Sequence, residues 1–82
     1  MSVPKIKSVE PLEDMVLLVI FDNGVKKKYD IKPLIFRFPV FKDLENRSLF
    51  RLARADCGGC GVVWNDDLDL SRYEIWANGV NV

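Results

Sequence analysis

LLVIFDNGVKKKYD, residues 17–30, reads as a strand, a tight turn and a second strand. Asn23 and Gly24 both tolerate the positive φ that a hairpin turn demands, which makes this pair the strongest short-range signal in the chain. Two registers are open. A two-residue loop pairs Asp22 with Val25 and sets Leu18 and Ile20 on the face of Tyr29. A three-residue loop with a bulge pairs Phe21 with Val25 and sets Leu17, Val19 and Phe21 there instead, because a slip of one residue swaps the faces. The bulged register is the expected one, since it groups Phe21 with Tyr29 and Ile31. It turns Val25, Tyr29 and Ile31 inward and Lys26, Lys28 and Asp30 outward, with Lys27 the polar intruder on the inner face. Met15–Phe21 is apolar on both faces, a pattern that predicts a strand covered on both sides.

A second stretch, VVWNDDLDLSRYEIWA at 62–77, reads as a strand that runs through a turn into a capped helix. Asp69 is read there as a turn residue. Ser71 and Glu74 form a capping box, the serine oxygen and the glutamate each taking one free amide. The helix is expected over Arg72–Asn78, with Gly79 ending it. Between the two stretches, Pro33 suits the first turn of a short helix reaching about Arg37. Phe36–Phe41 forms an aromatic connector, and Asn46 caps another short helix through Leu49 and Phe50. Leu52–Ala55 and Gly61–Trp64 make a second hairpin closed by Asp56–Cys60. Lys5–Glu10 supplies a first strand, stopped by Pro11. The fold class is α+β: a small antiparallel sheet of two hairpins plus an N-terminal strand, with short helices and a capped C-terminal helix.

The 82 residues make a single domain, residues 1–82. Net charge is zero, yet Met1–Lys42 carries eight basic against five acidic residues and Asp43–Val82 four against seven. Such mild asymmetry suits contacts between copies of the chain, and direct nucleic-acid binding is not expected. Lys26–Lys28 lacks the interleaved aromatics of a single-strand platform and reads as a solvated, edge-protecting strand. No signal peptide and no membrane span is read, which makes a cytoplasmic location the default. The chain has no histidine, the commonest general base and metal ligand.

Several motifs carry a resemblance: Pro11-Leu12, Phe21-x-Asn23-Gly24, Tyr29-Asp30-Ile31-x-Pro33-Leu34, Pro39-Val40-Phe41, Leu49-Phe50 and Val63-Trp64 followed by Asp69-Leu70-Ser71. In this order and spacing the chain resembles the small bacterial family catalogued as domain of unknown function 2442, over Ile6–Ile75. The resemblance implies no catalytic activity and no catalytic residues. It implies instead a module found ahead of helix-turn-helix domains, or standing alone beside small proteins in toxin–antitoxin-like arrangements. Asn65 stands where the family usually has proline, and its turn seldom carries two cysteines.

Cys57-Gly-Gly-Cys60 is the one candidate for chemistry. Two thiolates at this spacing can grip one zinc ion as half a site or cycle as a redox pair, with a dimer needed to complete four ligands. Asn65, Asp67 and Asp69 mimic the start of a calcium loop, but Leu70 stands where that loop needs glycine, so calcium is not expected. Tyr73, Glu74 and Asp67 have nothing to position a substrate. The expectation is a non-enzymatic protein-interaction module without a cofactor, antitoxin-like or regulatory by family context. It would self-associate or dock on a small partner protein through Phe36, Phe38 and Phe41. The alternative is a zinc or redox site at Cys57 and Cys60.

Overall fold

A computed structural model describes residues 3–56 and 58–82. Strand β1 (Ile6–Pro11) leads through a 3-10 turn (Glu13–Met15) into β2 (Val16–Phe21) and β3 (Lys26–Asp30). Helix α1 (Lys32–Arg37), a 3-10 segment (Pro39–Glu45) and helix α2 (Arg47–Phe50) follow. The chain continues through β4 (Arg54–Ala55), β5 (Gly61–Asn65), β6 (Leu68–Ser71), α3 (Arg72–Asn78) and β7 (Val80–Asn81). The fold is α+β, with the hairpins divided between two antiparallel sheets: one of order β1-β2-β3-β7, the other β4-β5-β6.

The hairpin takes the bulged register. Leu17 lies opposite Tyr29 and Val19 opposite Lys27, and the Phe21 amide donates to the Val25 carbonyl at 2.9 Å. Leu17, Val19, Phe21, Tyr29 and Ile31 are buried together. Lys27 turns inward with them, 9% exposed, its ammonium 4.9 Å above the Trp76 ring. The apolar stem packs while the charge meets the ring's negative face. The outer side of β2 departs from expectation: Val16, Leu18 and Ile20 stay half-exposed, so the strand is fully covered on one face only. Lys26–Lys28 is no edge either, because β7 pairs with Lys27 and Lys28 along the other side of β3.

The second stretch holds one strand more than expected. Asn65 accepts hydrogen bonds from the amides of Asp67 (2.9 Å) and Leu68 (3.0 Å), an Asx turn that reverses the chain within two residues. Asp69 therefore lies in β6, opposite Val63. Helix α3 has the expected bounds, and Ser71 Oγ accepts from the Tyr73 amide at 3.1 Å. The glutamate half of the capping box is absent, since Glu74 is engaged elsewhere. Gly79 ends the helix with extended backbone (φ −72°); a Cβ there would stand 2.6 Å from the Ile75 carbonyl oxygen.

Gly59 joins the two sheets. Its carbonyl accepts from the Ile6 amide at 2.9 Å, and its φ of +73° is one that glycine alone adopts freely. One hydrophobic cluster fills the space between sheets and helices, centred on Leu17, Phe21, Ile31, Leu44, Trp64 and Ile75. Trp64 is 2% exposed and donates its indole N–H to the Phe50 carbonyl at 3.2 Å, so burying it leaves no polar atom stranded.

Candidate functional site

The connector between α1 and α2 gathers the exposed apolar side chains. Phe36 is 88% exposed, Phe38 48%, Val40 53% and, just past α2, Leu52 57%. They stay in water for a local reason: α1 is a six-residue helix that buries Leu34, so Phe36 falls on its outer face. The chain then leaves α1 at Phe38, whose amide donates to the Leu34 carbonyl at 2.7 Å, and tightens into the 3-10 segment. Phe41 does not join the patch. It is buried, edge-on to Trp64 at 6.5 Å, and edge-on to Phe38 at 6.4 Å. Of the three aromatics expected to meet a partner, Phe36 and Phe38 are therefore presented, while Phe41 anchors them to the core. Arg37 stacks over Phe38 with its guanidinium carbon 5.5 Å from the ring centre. Val40 is exposed on the 3-10 segment, which no periodicity in the sequence announces, and Leu52 in the turn after α2.

Beneath α3 lies a polar group that local sequence did not assemble. Tyr29, from β3, donates its hydroxyl to Glu74 Oε2 at 2.8 Å, and Asn78 Nδ2 donates to the same oxygen at 2.7 Å. These residues, with Arg37 and Pro33, line an open cleft of about 480 Å³. Burial, together with the carboxylate that accepts its proton, pushes the Tyr29 phenol far above its ordinary pKa of 10.0. The hydroxyl thus stays protonated and donates to Glu74. Glu74 pairs with Tyr29 across 45 residues of sequence; Tyr73 is exposed and Asp67 lies in the β5–β6 turn, so the three never form a set.

A second open cleft, about 540 Å³, lies between the β1–β2 turn and α2, with Met15, Phe50, Arg47 and Arg51 among its lining residues. Asp14 and Met15 hold left-handed backbone (φ 61° and 59°) beside it. Lys32 fixes this turn, bonding the Asp14 carbonyl and pairing with the carboxylates of Asp14 (3.3 Å) and Asp30 (3.1 Å). Cys60 is exposed, and Cys57 lies outside the described residues. Among the described residues no group of three or more Cys, Asp and Glu side chains is placed to hold a metal ion. The surrounding loop has a backbone role: Asp56 accepts from the Cys60 amide at 2.8 Å, and Gly59 docks on β1.

The molecule is thus a small two-sheet α+β fold that presents apolar side chains on the connector between α1 and α2. The chain belongs to the family described as protein of unknown function (DUF2442), whose model matches residues 6–81. No curated protein and no solved structure matches the chain. Among the described residues no helix is long and apolar enough to cross a membrane.

Proposed function

We propose that this domain is a non-enzymatic protein-interaction module that docks on a small partner protein through Phe36, Phe38 and Val40. The observation that carries this reading is the 88% exposure of Phe36 beside two further exposed apolar side chains on a connector that Phe41 pins to the core. Phe38 is held between Phe41 and Arg37, so it has less freedom to lose on docking, which suits it as an anchor of a contact. Tyr29 and Asn78 both donate to Glu74, which fits a structural role for these polar side chains. The toxin–antitoxin-like setting of the family supports an antitoxin-like or regulatory role for that contact.

The test is quantitative co-purification from the source cells with wild-type, Phe36→Glu and Phe38→Glu proteins, each first shown to melt like the wild type. A protein captured by the wild type, lost by both variants and reconstituted from pure components supports the reading. An unchanged set of bound proteins in both variants ends it.

A further inference from the structure

The outer face of the four-stranded sheet is built unlike an ordinary solvated face. Antiparallel sheets with one wet side carry polar residues on it, yet β2 presents Val16, Leu18 and Ile20 there. All three are half-exposed and stand outside the hydrophobic cluster. At the middle of the column the two cross-strand neighbours of Leu18 are opposite in sign. On the β1 side, Glu10 lies opposite Leu18 and Ser8 opposite Ile20. On the β3 side, Asp30 lies opposite Val16, Lys28 opposite Leu18 and Lys26 opposite Ile20. The aliphatic column is thus bordered by Glu10 on the β1 flank and, on the β3 flank, by Lys26, Lys28 and an Asp30 that Lys32 already neutralises.

We propose that this face is a self-complementary contact through which two copies of the chain pair, sheet against sheet, about a two-fold axis running along β2. The spacing of strands selects that axis. Adjacent strands stand about 4.8 Å apart, so β1 and β3 lie equally far from β2 on either side. Rotation about an axis along β2 lays the β1 flank of one copy over the β3 flank of the other. Glu10 then meets Lys28 of the second copy twice, while Leu18, Ile20 and Val16 meet their own symmetry mates. An axis across the strands would instead stack Glu10 on Glu10 and Lys28 on Lys28. The charges therefore fix orientation, as interfacial charges do, and the aliphatic column supplies the burial. Sheets packed this way sit about 10 Å apart with strands roughly aligned, a separation aliphatic side chains fill. The second copy also accounts for the two-sided apolar pattern of β2, which the single chain satisfies on one side only. This surface is separate from the aromatic connector, so the proposal stands apart from partner docking.

Three strands by about five residues make a footprint below the standard size for a tight complex, which places the pairing in the weak, reversible class. The experiment is sedimentation equilibrium from about 1 μM to about 1 mM, a range that brackets that class. It uses wild type, Leu18→Glu, Glu10→Lys, Lys28→Glu and the Glu10→Lys/Lys28→Glu double variant, with thermal melts confirming the fold. The wild type should pass from monomer to dimer, and Leu18→Glu should remain monomeric. Each single charge reversal should weaken dimerisation at least about tenfold, and the double reversal should restore it. A wild type monomeric throughout the range overturns the proposal, as does a dimer indifferent to Leu18→Glu. Single reversals that weaken pairing without rescue in the double variant overturn the axis. The exposed charge positions keep the test decisive even if Leu18→Glu fails to fold.

Discussion

Replacing Gly59 by alanine should be among the most damaging single-methyl additions in this domain, and the reason is geometric. A Cβ at Gly59 would lie 2.5 Å from the Ile6 carbonyl oxygen, 3.0 Å from the Ile6 nitrogen and 3.1 Å from the Lys5 Cβ. The neighbouring strand cannot withdraw without breaking the Ile6–Gly59 hydrogen bond that joins the sheets. Left-handed backbone costs a non-glycine residue about 1–2 kcal/mol, and forcing a methyl into filled space costs about 1–3 more, for a total of about 2–5 kcal/mol. Gly24 is the internal control: its φ is +91°, but no atom lies within 4 Å of its would-be Cβ. Gly24→Ala should therefore carry only the backbone share, about 1–2 kcal/mol. The small gain from stiffening the unfolded chain is common to both and cancels in the comparison. Against a total stability of about 4–12 kcal/mol for 82 residues, the difference is easily measured. Urea titration followed by tryptophan emission suits the question, because Trp64 passes from full burial to water. If Gly59→Ala falls within about 0.5 kcal/mol of Gly24→Ala, inside the usual scatter of independent surface changes, the joint between the sheets is not what the glycine serves.

Two further outcomes follow from the Tyr29–Glu74 pair. In a Tyr73→Phe background only Tyr29 can yield a phenolate signal; its raised pKa contributes stability that is complete below pH ~10 and is lost as pH climbs through the folded value, so the signal should emerge together with alkaline unfolding. A phenolate that forms at pH ~10 in a still-folded protein would refute the buried hydrogen bond. Glu74→Ala should cost about 0.5–1.5 kcal/mol by removing the partner of a part-buried hydroxyl, and the loss should shrink in a Tyr29→Phe background in a double-mutant cycle. Additive losses would show instead that Glu74 acts through the helix terminus.

Local chemistry made most of the architecture readable. Asn23-Gly24 and the alternation after it set the hairpin register, Asn46 capped α2, and Ser71 and Gly79 bounded α3, because each of these acts within a few residues of itself. What escaped notice depends on distance or brevity. β6 is four residues long and enters through an Asx turn at Asn65, too short for an alternating pattern to declare itself. Glu74 matched a capping box three residues after Ser71, yet its partner is 45 residues away on β3, and a buried phenol outcompeted the helix amide. Phe36 and Phe38 were readable as candidates, but only packing could separate them from Phe41, since all three are the same residue type in one short segment. The joint between the two sheets rests on the Gly59–Ile6 contact, which no local pattern encodes.

Strand β7 is two residues long, and with Val82 it fills the otherwise open side of β3, Val80 opposite Lys28 and the Val82 amide donating to the Lys26 carbonyl at 3.2 Å. A sheet border with free amides and carbonyls is a template for further chains, and a brief closing strand is one way to deny it. Here that stopper is also the least buried part of the sheet, with Val80 and Val82 both about two-thirds exposed. Protection of this side of β3 therefore hangs on a very short segment. Heat, a protease or a competing peptide could strip it away well before the core gives.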